Sequence, residues 1–469
     1  MFLNLKSILP IMSLLVMGLL TSCRNDTKGK EYQAYFGGEI TNPTSDYLLF
    51  CKNSKVIDSV KLDKNNRFFM KFDSLTPGLY SFKNNPEYQY VYFDKNDSIM
   101  VHINAKDFDN SIVFCGRGDQ KNNFLMDLYL RNEEDKNTMF PIFEYDIKNF
   151  NNAIDSVYHQ NKAFYKSFKD EIKWSEGFEF YAKSALDFQY FSKKEIYPKV
   201  HQIRTGKDVF ETLPKNYYDF RNTIDFDNIK LSDFSPFIMY VSNMLNNCST
   251  ITYHNHFTEV DMALKTNVNK LNIADTLIKN ENLKNKILNN IAFTYLLEDQ
   301  NMVNNKLFLE TYRKYSTDKS QKNEILKIGN SIQLMNTGSV LPEVKLINQE
   351  GKEVSSNDFM KNKTVIFFWT KNLTSHLEAA HQKLLGLKTK HTDYQFIAVN
   401  LDDDQAKWIK TLSTYKFSGI NELRCKNFED IKSKWVITKV HRTIILDKNK
   451  LIKNAFTNIF DVKFENELN

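Results

Sequence analysis

Thr364-Val-Ile-Phe-Phe-Trp-Thr370 is apolar at every position between its threonines. It has no alternation, so a strand formed here has two faces that must both be covered. That is the pattern of a parallel strand buried between helices rather than of a half-solvated hairpin. The residues that follow fit such a unit. Leu373, Leu377, Ala380, Leu384 and Leu387 are spaced 4, 3, 4, 3 and place one apolar stripe along a helix. Ser375 with Glu378 offers a capping box at its start. Tyr394-Gln-Phe-Ile-Ala-Val-Asn400 is a second strand. Asp402-Asp-Asp404 opens a helix carrying Trp408, Ile409, Leu412 and Tyr415, with the acids favoured by the N-cap and the helix dipole. Arg442-Thr-Ile-Ile-Leu446 and Leu451-Ile-Lys-Asn-Ala-Phe456 are the last strands, giving the order β-α-β-α-β-β over residues 338–469.

Two other regimes precede this one. Between Tyr32 and Gly118, short strands recur at roughly 8–12-residue spacing, the mark of an antiparallel sandwich. They are Tyr47–Phe50, Lys55–Val60, Arg67–Phe72, Gly78–Phe82, Tyr88–Phe93 and Ser98–Ile103, separated by turn clusters such as Asp63-Lys-Asn-Asn66 and Asp94-Lys-Asn-Asp97. Between residues 119 and 337 the period becomes helical, as in Ile325, Ile328, Ile332, Met335 and in Ile287 or Leu288, Ile291, Tyr295. This reads as a spacer that packs against its neighbours, with a partner-binding groove as the alternative. The expected fold class is multi-domain α+β: an N-terminal antiparallel β-sandwich at 32–118, a central helical region at 119–337 and a C-terminal α/β domain at 338–469.

The first residues follow different rules. Lys6 precedes an apolar run from Ile8 to Leu20, too short for a spanning helix, which needs about 20 residues. The run ends in Leu20-Thr-Ser-Cys23, which resembles the bacterial lipoprotein box. The resemblance implies a signal peptide at 1–22, diacylglycerol on Cys23 and a polar tether over 23–31, with the lipid bilayer as a partner. An ordinary secretory signal is the alternative. Arg24, rather than an Asp, follows the lipidated position, which favours the outer membrane, facing the periplasm. A mean hydropathy of −0.49 excludes a polytopic membrane protein, and 14% aromatic residues argue against a disordered polymer. A net charge of +6 without an Arg/Lys block gives no nucleic-acid footprint.

Cysteine placement bears most directly on function. Beyond Cys23 the thiols are Cys51, Cys115, Cys248 and Cys425, and no two make a Cys-x-x-Cys or a zinc spacing. Cys51 and Cys115 share a domain and either pair or serve as small buried hydrophobes. Cys425, in Leu423-Arg-Cys-Lys-Asn, has bases beside it that would help a thiolate. His254-Asn-His256 is the one close histidine pair of the helical region, and it lacks a third ligand.

Residues 338–469 resemble the thioredoxin-like domains of the membrane-tethered TlpA/ResA branch and the peroxiredoxins. The resemblance rests on Leu341-Pro-Glu-Val-Lys-Leu-Ile347, Glu350-Gly-Lys-Glu-Val354, Ser356-Asn-Asp-Phe359, Lys363–Trp369, Val399–Asp404 with Trp408, and Ile444-Ile-Leu-Asp447. Residues 32–118 likewise resemble an uncharacterised sandwich module of envelope lipoproteins, through Gly38-Glu-Ile40, Val56–Val60, Pro77-Gly-Leu-Tyr80 and Asp97-Ser-Ile99; it brings no catalytic residues. The thioredoxin-like resemblance implies a Cys-x-x-Cys at the start of the helix after Trp369, where helix-end amides lower a thiol pKa and a second thiol resolves the mixed disulfide. Here those positions hold Leu373-Thr-Ser-His376. The family's cis-proline slot falls on His441. The redox site is thus read as degenerate at Leu373, His376 and His441, with no catalytic residue, no cofactor and no metal. His376 and His441 are expected near one another, and His381 lies off the face of His376.

Three readings of function follow. The first is a lipid-anchored envelope protein whose redox-inactive domain is a binding or structural module with an envelope protein partner, using the groove beside Trp369. The second is a thiol–disulfide oxidoreductase or peroxidase acting through a non-standard residue. The third is a role beside a redox lipoprotein that supplies the cysteines.

Overall fold

The computed structural model describes residues 33–468 apart from 86, 254–258, 299, 300, 361, 418, 438 and 462. Cys23, the apolar run before it and the His254/His256 pair lie outside the described residues. The described chain forms two compact units, divided after Lys207. The stretch read as one helical region contributes to both.

The first unit begins with β1 (Ala34–Thr41), β2 (Tyr47–Lys52), β3 (Lys55–Lys61), β4 (Arg67–Phe72), β5 (Gly78–Asn84), β6 (Glu87–Phe93) and β7 (Ser98–Asn104), then a one-turn α1 (Phe108–Ser111) and β8 (Val113–Arg117). Two four-stranded sheets, ordered β4-β1-β7-β8 and β3-β2-β5-β6, make the expected sandwich. It is not wholly antiparallel: β1 and β7 pair in parallel, Tyr35 opposite Ser98. The five strands between them allow the return crossing that a parallel pair needs. Phe36 is fully buried at the centre, with its ring 5.2 Å from those of Phe68 and Phe82 and 5.6 Å from Phe50.

Helix α2 (Asp119–Met139) is stapled to this sandwich by three successive residues at its start. Lys121, buried, donates to Asp94 at 2.8 Å and to Asp97. Asn122 exchanges hydrogen bonds with both backbone groups of Tyr92, and Asn123 with both of Phe114. Each carboxamide thus stands in for a strand neighbour. Gly118 caps the helix at φ 101°, where a Cβ would lie 2.6 Å from the Asp97 carboxylate, so this corner requires glycine. Helices α3 (Ile147–Ile172) and α4 (Glu176–Thr205) complete the unit, joined by reciprocal bonds from Tyr158 to Asp187 and from Tyr190 to Asp155.

The second unit contains α5 (Ser235–Tyr253), α6 (Glu259–Leu277), α7 (Glu281–Glu298), α8 (Met302–Tyr315) and α9 (Lys319–Leu334). The stripes read from the sequence face inward: Ile287, Leu288, Ile291 and Tyr295 on α7 and Ile325 and Ile332 on α9 are buried. There follow β9 (Lys345–Ile347), β10 (Glu353–Ser355), a one-turn α10 (Ser356–Phe359), β11 (Lys363–Trp369), α11 (Thr374–Lys390), β12 (Tyr394–Asn400), α12 (Gln405–Tyr415), β13 (Asn421–Cys425), α13 (Phe428–Trp435), β14 (Arg442–Leu446) and β15 (Ile452–Asn458). Their sheet runs β10-β9-β13-β12-β11-β14-β15, with β11, β12 and β13 parallel and β14 antiparallel to β11. The short β9 and β10 and the β13–α13 pair are additions to the order read from the sequence.

Strand β11 is covered on both faces, as its unbroken apolar run requires. Val365, Phe367 and Trp369 pack with Leu377, Ala380, Leu384 and Leu387 of α11. Phe368, on the other face, meets Trp435 of α13 at 6.0 Å between ring centroids.

Candidate functional site

The surface to which the sequence points is the start of α11, where β11 hands the chain to the helix. A polar clamp shapes this turn. Asp402, just past β12, accepts hydrogen bonds from the Thr370 hydroxyl, from the Lys371 backbone N–H at 2.9 Å and from Asn400 Nδ2 at 2.9 Å. Asp404 caps α12 through the Lys407 amide, as the acidic run suggested. Asp402 does something different: it fixes the loop in front of α11.

The capping box expected at Ser375 and Glu378 does not form. The helix begins two residues earlier, with Leu373 as its N-cap and without a side-chain cap. Ser375 is therefore already inside the first turn, and Glu378 instead acts on the Tyr415 phenol, holding its pKa above the ordinary tyrosine value. Leu373 is 47% exposed. His376, one turn on, is half-buried, its ring centroid 5.7 Å from that of Phe460. Both of its ring nitrogens are buried without a hydrogen-bond partner among the described residues. Burial holds its pKa below the ordinary histidine value, and the neighbouring His441 and His381 act in the same direction. Such an imidazole is uncharged at neutral pH. His441 is exposed and directly precedes β14. His376 thus lies with Phe460 and His441 beside it, one helical turn beyond the exposed Leu373.

Trp369 does not line a groove. It is fully buried, and its indole N–H donates to Glu422 Oε2 at 3.2 Å. Glu422 Oε1 lies 3.0 Å from His381 Nε2, and His381 is likewise fully buried. This Trp369–Glu422–His381 network beneath α11 escaped the sequence reading, which set His381 aside. The one available signal was a histidine on the apolar stripe side of a helix, beside Ala380 and before Leu384.

The cysteines lie elsewhere. Cys425 is on β13 with 2% exposure. Burial pushes its thiol up to about 11 and outweighs the opposite pull of Arg424, so the bases beside it do not produce a thiolate. Cys51 is buried in one sheet of the sandwich and Cys115 exposed on the other, both as free thiols rather than a pair. Among the described residues no group of three or more His, Cys, Asp or Glu side chains is placed to hold a metal ion. No helix among them is long and apolar enough to cross a membrane.

Comparison with known proteins agrees with this geometry. A thioredoxin-like family profile matches residues 362–452. No curated protein matches the chain. Among solved structures, the thioredoxin domain of a thiol-disulfide oxidoreductase from Bacteroides vulgatus is 25% identical, over 25% of this chain and 85% of that one, with a TM-score of 0.23. A thiol:disulfide interchange protein from Bacteroides sp. is 25% identical over 25% and 79% of the two chains, with a TM-score of 0.23. An uncharacterized thioredoxin-like protein from Porphyromonas gingivalis is 27% identical over 25% and 79%, with a TM-score of 0.21. The profile match makes the C-terminal part of this chain a thioredoxin-like domain.

Proposed function

We propose that this protein is a lipid-anchored envelope protein whose thioredoxin-like domain has given up thiol–disulfide exchange and binds an envelope protein partner. The reading is carried by the residue set at the start of α11: Leu373 and His376 are the residues that the family resemblance aligns with the attacking and the resolving thiol. Neither side chain can form or release a mixed disulfide. The buried, protonated Cys425 offers no replacement.

What remains at that surface suits recognition. Leu373, one turn before His376, is 47% exposed, and Phe460, whose ring meets the His376 imidazole, is 42% exposed; the imidazole nitrogens have no partner among the described residues. An extended segment of a partner protein would bring an apolar side chain to Leu373 and Phe460 and a polar backbone group to His376. Anchoring rests on Leu20-Thr-Ser-Cys23; acylation there would hold the protein at a bilayer, since several acyl chains bind stably where one is marginal.

Insulin reduction by the purified soluble chain tests the central claim. The expected rate is that of the uncatalysed reaction; robust turnover that persists in Cys425→Ser would refute the proposal. Anchoring is tested separately with a palmitate analogue in cells. Label should be present in the wild type and absent in Cys23→Ala, and label retained in that variant would sink the lipid assignment.

A further inference from the structure

The network under α11 has a proton count that its geometry fixes. His381 Nδ1 lies 2.6 Å from the backbone oxygen of Leu377. A carbonyl only accepts, so Nδ1 carries a hydrogen. The other nitrogen, Nε2, then faces Glu422 Oε1 at 3.0 Å. With no proton between them, a lone pair would confront a carboxylate; with two, two donors would collide. One proton belongs to this contact.

The surroundings decide which atom holds it. Phe417 stacks on the imidazole at 3.7 Å and 9°, and the rings of Phe367 and Trp369 approach edge-on at 4.9 and 5.6 Å. β11 thus brings aromatic rings and no charge. On β13 the one nearby cation, Arg424, directs its guanidinium to Gln405 and to the backbone oxygens of Asp402, Asp403 and Cys425. On α11, His376 is close enough to His381 for the two rings to disfavour each other's charge, and Glu378 acts on the Tyr415 phenol, whose ring stacks on Phe417. Among the described residues Glu422 has two hydrogen-bond partners, His381 and Trp369. A buried carboxylate has about four acceptor sites to satisfy, so it would be left short here, whereas a carboxylic acid is served by one donor to its carbonyl oxygen and one acceptor for its hydroxyl.

We infer that Glu422 holds the proton and donates it to neutral His381, making an uncharged latch that fastens α11 to β13 and opens when alkaline pH removes the proton. The latch sits five residues beyond His376 on the same helix, so its opening would loosen the surface formed by Leu373 and His376. It stands whether or not that surface is a binding site.

Burial raises the Glu422 carboxyl above its ordinary value, with His381 and Trp369 only partly opposing. The sign of the pH dependence follows. An acid whose native pKa is raised contributes stability that is complete below the unfolded value of about 4.5 and declines as pH rises through the native one. Glu422→Gln keeps the geometry: its amide N–H donates to Nε2, its oxygen accepts from Trp369, and it does not titrate. Urea unfolding from pH 4 to 9 should show the wild type losing stability relative to Glu422→Gln as pH rises. Amide exchange in α11, taken relative to Glu422→Gln, should speed up in the wild type by about tenfold for each pH unit between the unfolded carboxyl value and the raised native one, and level off above it. A wild type that instead gains stability relative to the variant between pH 4 and 7 would mark a charged pair and overturn the latch. Nitrogen-resolved NMR of wild-type protein at pH 7 decides independently of the variant's folding. Nε2 of His381 should carry no attached hydrogen; an imidazolium with hydrogens on both nitrogens overturns the inference.

Discussion

The sandwich and the thioredoxin-like domain bury their centres in opposite ways. The sandwich core is a ring cluster, Phe36 with Phe50, Phe68, Phe82 and Phe93, and its buried ions sit at the rim, where Lys121 meets Asp94 and Asp97. The thioredoxin-like core places a glutamate, a histidine and an indole N–H in contact directly under α11. A core selected for packing alone needs only the first arrangement. The second keeps polar groups where hydrocarbon would be easier to bury, which points to control over α11 rather than to stability as its purpose.

The largest expected effect tests the first half of this contrast. Phe36→Ala removes a ring touching four others and should cost about 3–5 kcal/mol, read as lost amide-exchange protection in β1, β5 and β7. A loss under about 1 kcal/mol would mean the cluster is loosely packed and the contrast unfounded. The second test is a cycle in the other core. Glu422→Leu strands His381 and Trp369 without a partner and should cost about 3 kcal/mol. Adding His381→Leu should recover part of that loss, since one buried polar group is then removed with its partner. Tryptophan fluorescence is the readout, because Trp369, Trp408 and Trp435 all lie in this domain. Additive losses would break the idea of a coupled pair. The smallest effect is expected at Leu373→Ala, within about 0.5 kcal/mol of wild type by the same measurement, since the side chain is exposed.

Much of the thioredoxin-like domain was legible because its strands and helices are locally consistent. The apolar run of β11, the stripe of α11 and the β12 and β14 segments read correctly from pattern alone. β13 did not, because Glu422 and Arg424 break its apolar character although both are buried. Their burial depends on groups distant in sequence: Glu422 on His381, 41 residues away, and Arg424 on Gln405 and backbone oxygens around residue 402. No local periodicity carries that information. The capping box failed for a related reason. Ser375 and Glu378 have the right spacing, but the Asp402 clamp on Thr370 and Lys371 sets where the helix begins. The proximity of His376 and His441 was legible through the family resemblance, whereas the loss of hydrogen-bond partners around His376 was visible only in three dimensions.

The Asp402 clamp has a consequence for any guest at this surface. With Thr370 and Lys371 tied to the end of β12, the entrance to α11 is a mould already set before contact. A visitor would surrender its own freedom on docking but would not have to organise its host. Discrimination would then fall to the size and shape of the side chain offered, and weakly matching sequences would leave quickly.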